Sequence, residues 1–318
     1  MFLVLIIRKL GSKNYYYLEE SFRLLNKSKR FRKYVGVKKP NNKKLISIEE
    51  EFLDSIIEKL TNFKYDTKYI SKKQLIRIIL FNELYFKKYN LLSPTKRNKF
   101  DINKNVLFTL ATLTTEDVDI DLKDILGAIN KKEKDLNLRE QICKNMLFAL
   151  KFIKSENKLN LDFIRKVHGI AMADFETKTP GLFRDKQVYI YLKHTKDILN
   201  SEIKFRPPGY GLIVNKLKVF IEWYITVDIN PLEKAVLTHF EIYEIHPFLD
   251  GNKRVCRLLF NKVLLDYNFP LINVSYKKDQ SFDTLISSVE NNDPKYLIEF
   301  VYKQYFKEIQ DFLKSVDK

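Results

Sequence analysis

The sequence predicts a mainly α-helical protein: a helical core broken by one β-hairpin and preceded by a small α+β region. Three observations lead there. Apolar residues recur at helical spacing over most of the chain beyond residue 46. Only 8 Gly and 9 Pro among 318 residues leave too few tight turns for an all-β fold. The β-prone runs are confined to the first forty residues and to a stretch near residue 190. An apolar content of 45% suffices to bury a large core, which a chain of this length forms as one large domain or two smaller ones.

Met1 to Ile7 is apolar but shorter than a membrane span, and Arg8 and Lys9 follow it with no small-residue cleavage site, so it reads as a strand. Tyr15–Leu18 and Phe22–Leu25 read as two short strands, Asn26-Lys27-Ser28 as a hairpin tip, and Phe31–Gly36 as the next strand. Pro40-Asn41-Asn42 is a break. Ser47 is expected to cap a helix carrying Phe52, Ile56, Ile57 and Leu60, and Ser71 one carrying Leu75, Ile78, Leu80 and Leu84. Ser93-Pro94 ends this region, so residues 1–95 are assigned to an N-terminal region and residues 96–318 to a second domain.

Within the second domain, Leu136–Ile153 and Leu159–Met172 read as helices. His168 and His239 read as satisfied structural histidines, because no acid or Cys is spaced to join either as a metal ligand. Pro180 to Arg184 interrupts the helices, Val188–Tyr191 is β-prone, and Phe205 to Pro208 closes the excursion. Leu212–Tyr224 returns to helix. Asn230 and Pro231 then supply an N-cap and a first helical residue, and Ala235, Val236, Phe240 and Tyr243 give that helix its apolar side. His246-Pro247 breaks it, since a residue before proline avoids helical geometry. Val255, Leu258, Leu259, Val263 and Leu264 fit a further helix, apolar on most of its surface and therefore central. Beyond Pro270, Phe282, Leu285, Ile286 and Val289 mark one helix, and Asn292-Asp293-Pro294 caps another.

The formal net charge is +17. It reads as spread along the chain, with runs at Lys27–Lys39, Lys43-Lys44 and Lys96–Lys104. Aromatic residues do not interleave with these runs in sequence, so nucleic acid is not an expected partner. The abundance of Lys, Asn, Ile, Tyr and Phe is what an A/T-rich genome produces unaided. Cys143 and Cys256 form neither a Cys-x-x-Cys pair nor a zinc spacing, which places the chain in a reducing compartment, the cytoplasm. No membrane association is expected.

The chemistry concentrates in His246-Pro-Phe-Leu-Asp-Gly-Asn-Lys-Arg-Val-Cys-Arg257. The loop ends in a helix N-terminus, where backbone N–H groups and the helix dipole favour an anion. Gly251 allows close backbone approach. Arg254, Arg257 and Asn261 share one face, and the two guanidiniums can fork onto phosphate oxygens. Asp250 offers a hard oxygen to Mg2+, which binds through one or two carboxylates plus substrate phosphates. His246 is the one group here able to take a proton near neutral pH. A base, a magnesium carboxylate and an anion cradle together describe transfer from a nucleotide to a hydroxyl.

This stretch resembles the signature of the Fic/Doc family, usually His-x-Phe-x-Asp/Glu-Gly-Asn-Gly-Arg-x-x-Arg. The resemblance covers roughly Asn105 to Phe300. It implies a Fic-type helical core with a β-hairpin flap, and transfer of AMP from ATP to a protein Ser, Thr or Tyr hydroxyl. His246 would be the base, Asp250 the Mg2+ ligand, Gly251 and Asn252 the anion hole, and Arg254 and Arg257 the phosphate ligands, with Lys253 in the same nucleotide-binding loop. Lys253 replaces the family's second glycine. The Doc branch also has Lys there and transfers a phosphoryl group, so which phosphate is attacked stays open, and a catalytically idle basic adaptor is the reading from another class.

Thr112 to Asp117 is similar to the Ser/Thr-x-x-x-Glu-Gly/Asn motif of the family's inhibitory helix, departing at Asp117. That helix is expected near 105–117, with Glu116 drawing Arg257 away from ATP. Gly181-x-Phe-Arg184 to Pro207-Pro208 resembles the flap, whose edge at Val188, Tyr189 and Ile190 would pair with the backbone of a target. The expected partner is a target protein, with a second copy of the chain as an open alternative. Some relatives append a DNA-binding winged helix, for which no room is expected here.

Overall fold

Three antiparallel strands open the chain, β1 (Val4–Leu10), β2 (Lys13–Leu24) and β3 (Lys27–Gly36), side by side in that order. The computed structural model describes residues 4–24, 27–59, 67–115, 118–155, 158–191, 203–273, 285, 287–289 and 291–316. The chain divides into two units, residues 1–97 with 305–318, and residues 98–304.

In the first unit, the two short strands expected at Tyr15–Leu18 and Phe22–Leu25 are one continuous β2. Glu19 and Glu20 do not break it because each carboxylate has a cation. Glu19 lies opposite Arg32 and pairs with Arg30 and Arg32, and Glu20 pairs with Lys87. Leu25, Asn26 and Leu60 lie outside the described residues. α1 (Asn42–Lys59) starts five residues before the expected cap at Ser47. Asn41 caps it instead, its Oδ1 accepting from the Lys44 N–H at 2.9 Å. The apolar face already begins at Leu45, which is buried, so a start at Ser47 would leave that residue outside the helix. α2 (Lys72–Leu91) begins as expected at Ser71, in a capping box with Gln74. Its Phe81 meets Phe306 edge-on at 5.1 Å, Tyr85 lies 4.4 Å from Phe312, and the Tyr305 hydroxyl donates to the Ile78 carbonyl at 3.3 Å.

The second unit is mainly helical, and the helices that open and close it begin or end in residues of the first. Ser93 does more than end the preceding region: its hydroxyl accepts from the Lys96 N–H and so starts α3 (Pro94–Thr114). α4 (Leu122–Asn130) is capped by Asp121 and Asp124 reciprocally. α5 (Leu138–Ser155) and α6 (Leu161–Ala171) follow. The hairpin is shorter than its β-prone sequence: β4 (Ile190–Tyr191) pairs with β5 (Ile203–Phe205), while Val188 and Tyr189 precede the strand. α7 (Ile213–Thr226), α8 (Pro231–Ile245), α9 (Asn252–Asp266) and α10 (Lys295–Val316) complete the order.

α8 and α9 are the centre of this unit. Pro231 to Phe240 and Arg254 to Leu264 are buried without interruption. Helices apolar all round must be enclosed, and α5 and α6 pack against α9 while α7 packs against α8. The charges carried inside are satisfied locally: Lys262 pairs with Asp266, and the Lys234 ammonium donates to the Val227 carbonyl and the Tyr267 hydroxyl. Near the end of the chain, Asp293 caps α10 by accepting from the Lys295 N–H at 3.0 Å. Leu285 and Val289 are buried, while Phe282 and Ile286 lie outside the described residues.

Candidate active site

α8 stops at His246, whose backbone is left-handed with φ 48°. Pro247 denies His246 the right-handed helical region, and the turn that results aims the imidazole out of the helix. The His246 Nδ1 lies 3.2 Å from the Tyr243 carbonyl, which can only accept, so Nδ1 carries the hydrogen. The lone pair is left on Nε2, which has no hydrogen-bond partner among the described residues. Burial, with the charges of Arg184 and Lys253 adding to it, pulls the imidazole down to about 4, against the Tyr243 carbonyl and Asp250. At neutral pH the ring is therefore a proton acceptor.

Three clamps hold the loop from His246 to Gly251. Asn252 spends its side chain on Phe248, accepting from its N–H at 3.0 Å and donating to its carbonyl at 2.9 Å. His168 accepts from the Gly181 N–H at 2.9 Å through Nδ1, which leaves Nε2 to donate to the Asp250 carbonyl at 3.1 Å. Its ring also stacks on Phe248 at 3.7 Å. Arg184 donates to the carbonyls of His246, Lys186 and Pro208 at 2.8, 3.0 and 2.5 Å, and its own N–H donates to the Pro247 carbonyl. His168 is thus the satisfied structural histidine expected. His239 is not: it is buried, and its Nδ1 has no hydrogen-bond partner among the described residues.

Beyond the loop, the N-cap of α9 is Gly251, which has no side chain to cap the first turn. That leaves the N–H end of a buried helix facing the His246 loop, a place for an anion. Gly251 stands at its N-cap with φ 70°, and a Cβ there would meet the Met172 sulfur at 2.5 Å. The left-handed backbone and the Met172 side chain both favour glycine at this position. Arg254 is buried, donating to the Ala171 carbonyl and the Met172 sulfur and lying 5.0 Å from the centre of the Phe175 ring. Arg257 is also buried and donates to the Thr112 carbonyl in the last turn of α3. Glu116 and Asp117 lie outside the described residues. Lys253 is half-buried.

Asp250 is half-buried; its Oδ1 accepts from the Gly251 N–H, and Lys178 lies 3.5 Å from Oδ2. Among the described residues no cluster of three or more His, Cys, Asp or Glu is present. One carboxylate fits Mg2+ carried in on the phosphates of a nucleotide, and does not fit a resident metal cage. At the flap, Gln187 donates to the Val188 and Pro207 carbonyls, and Tyr189 is exposed beside the Arg206 guanidinium. Sequence reasoning missed Arg184 and Lys178 as parts of this site. Arg184 was visible only as a letter of the flap motif, and nothing in the sequence pairs Lys178 with Asp250.

Residues 158–264 match the Fic/DOC family. The chain carries a Fic/DOC domain. It is 23% identical over 281 residues to the protein adenylyltransferase Fic of Nematostella vectensis, an alignment covering 86% of this chain and 58% of the relative. It is 24% identical over 177 residues to the protein adenylyltransferase fic-1 of Caenorhabditis elegans, covering 53% of this chain and 32% of the relative. The chain therefore spans less than two thirds of either relative's length. A Fic-domain-containing signalling protein from Bacteroides thetaiotaomicron shares the fold with TM-score 0.63 at 19% identity, over 74% of this chain and 97% of that one. Fic-1 from C. elegans does so with TM-score 0.60 at 18% identity, over 88% and 79%. The mainly α class with its hairpin is thus the Fic fold.

Proposed function

We propose that the Fic/DOC domain is a protein adenylyltransferase that moves AMP from ATP to a Ser, Thr or Tyr hydroxyl of a target protein. The observation that carries this is the His246 imidazole, held by Tyr243 as a neutral acceptor at Nε2 beside the first turn of α9, whose N-cap is Gly251. The target hydroxyl would give its proton to Nε2 as its oxygen bonds the α-phosphorus of ATP. The bond from that phosphorus to the bridging oxygen breaks, and pyrophosphate leaves. The turn at Gly251 and the N–H groups of Asn252 and Lys253 would receive phosphate oxygens, with Arg254 and Arg257 as further ligands, while the Gly251 N–H itself is held by Asp250. Mg2+ at Asp250 would neutralise phosphate charge. Lys178 pairs with Asp250 and would have to yield that oxygen. The strand edge at Val188, Tyr189 and Ile190 would align the target chain.

Glu116 is proposed as the inhibitor of this reaction. Supporting it, the last turn of α3, four residues before Glu116, already accepts from Arg257. Lys253 supports a second reading, attack on the γ-phosphorus with ADP as the leaving group. The setting proposed is the cytoplasm, consistent with Cys143 and Cys256 both being buried outside any disulfide among the described residues. Among the described residues no helix is long and apolar enough to cross a membrane.

Incubation of the parent protein and of Glu116→Gly with Mg2+ and ATP labelled on either the α- or the γ-phosphate tests the reading. Protein-bound label from the α-position alone is expected. Label from the γ-position alone establishes the second reading, and label from neither, in Glu116→Gly as in the parent, under conditions where ATP binds refutes both.

A further inference from the structure

Residues 1–40 hold eleven Lys and Arg against two Glu, a formal +9 of the chain's +17. The charge read as spread along the chain is therefore concentrated at the sheet. Both glutamates are buried and paired, Glu19 with Arg30 and Arg32 and Glu20 with Lys87, so neither presents free negative charge.

The strand register sorts the remaining residues by face. Tyr17 lies opposite Ile6 and Tyr34, Tyr15 opposite Arg8, and Glu19 opposite Arg32. Side chains two apart share a face, so Arg8, Tyr15, Tyr17, Arg30, Arg32 and Tyr34 stand together, with Glu19 buried among them under Arg30 and Arg32. Leu18, Glu20 and Phe22 point the other way and are buried. Tyr34 lies 5.3 Å from Tyr17 and 6.4 Å from Tyr15, tilted 54° and 39°, so the three rings are not stacked flat on one another. Arg8 and Arg32 lie 5.8 and 5.9 Å from the centre of the Tyr17 ring. Tyr34 is 52% exposed, and Arg8, Arg30 and Arg32 are exposed. Rings and guanidiniums that do not interleave in sequence interleave here in space.

We propose that this sheet face binds single-stranded nucleic acid. Tyrosine rings accept the faces of unpaired bases whatever their sequence, and guanidiniums among them take the phosphates. Charge complementarity alone would also admit an acidic protein or an anionic membrane. Neither needs rings set among the cations.

The test uses the full chain and a fluorescently labelled single-stranded RNA of about a dozen nucleotides, a length within known site sizes. Anisotropy is read over a range of salt. Binding is expected to weaken as salt rises. Tyr34→Ala should weaken it roughly tenfold while Tyr34→Phe keeps it, because the ring and not the hydroxyl is used. Arg8→Gln should weaken it and reduce the salt slope by about one. Label incorporation by the Fic/DOC domain should be unchanged in all three. Absence of RNA binding at low salt overturns the proposal. So does equal affinity of parent and Tyr34→Ala, or equally tight binding of a polyglutamate peptide or phosphatidylserine vesicles. If Tyr34→Ala lowers the melting temperature, Arg8→Gln decides, since its side chain is exposed; unchanged affinity and slope there also overturn the proposal.

Discussion

Arg184, in the clamp around His246, is 3% exposed and donates to three backbone carbonyls, whereas Arg8 on the sheet is exposed and lies beside the Tyr17 ring. The same side chain serves opposite ends. A buried guanidinium must have its donors satisfied, and each acceptor it finds becomes fixed by it, so Arg184 turns its burial into the position of His246 and of the flap's two ends. The Arg8 guanidinium donates to no carbonyl or carboxylate among the described residues and can turn to a partner. Burial of cations therefore marks the region where atoms must be placed, and exposure marks the region where charge must be offered.

The largest effect should come from the group placed most closely. His246→Ala should lower transfer by about 10²- to 10⁴-fold while ATP affinity stays near that of the parent, because the base acts on the hydroxyl and not on the phosphates. Label incorporation and a nucleotide titration measure the two separately, and equal losses in both would show that the role is misplaced. Release of Glu116 should rank next. Glu116→Gly should raise automodification, up to roughly 10²-fold if it corrects how ATP sits. The double variant with Arg257→Ala should resemble Arg257→Ala alone. No gain on Glu116→Gly returns Glu116 to an ordinary carboxylate.

Stability offers a direct comparison of the two arginines. Arg184→Ala strands the carbonyls of His246 and Pro208, at about 1–3 kcal/mol for each group left buried without a donor. Arg8→Ala should stay within about 0.5 kcal/mol. Denaturant unfolding of both variants checks this, and equal losses would erase the distinction between them.

The last comparison is of pH dependence. Burial lowers His168 to about 4 and His239 to about 3, so both are neutral when folded at neutral pH. As pH falls below about 6.5 the unfolded chain takes up protons that the folded chain refuses, and stability drops by about 1.4 kcal/mol per pH unit for each imidazole. The drop ends only near the folded values. Melting temperatures between pH 7 and pH 5 should fall accordingly. The sheet region holds no histidine and contributes nothing to this trend. A flat profile would mean these rings are not neutral in the folded state.

The fold class and most element limits were legible because local rules set them. Asn230-Pro231 starts α8 and Ser71 with Gln74 starts α2 through bonds made within four residues. Ser47 misled because Asn41, an equally good cap, stands before Leu45, the first buried residue of the helix, whereas Ser47 stands after it. The His246 to Arg257 stretch was legible as chemistry because its residues are contiguous. Arg184 at 62 residues from His246 and Lys178 at 72 from Asp250 were not, since no spacing rule reaches across a fold.

By itself the sequence determined which groups the chain has for its chemistry: a histidine, a carboxylate, two arginines and a helix start in twelve consecutive residues. Only the tertiary structure decided what state they are in. The proton on Nδ1 of His246 follows from the Tyr243 carbonyl, its lowered pKa from burial, and the preference for Gly251 from the left-handed backbone and the Met172 side chain. The basic face of the sheet divides in the same way. Composition supplied the arginines and tyrosines, but strand pairing brought Arg8, Tyr17 and Arg32 together from three strands, because register is a property of pairs of strands and not of any one of them.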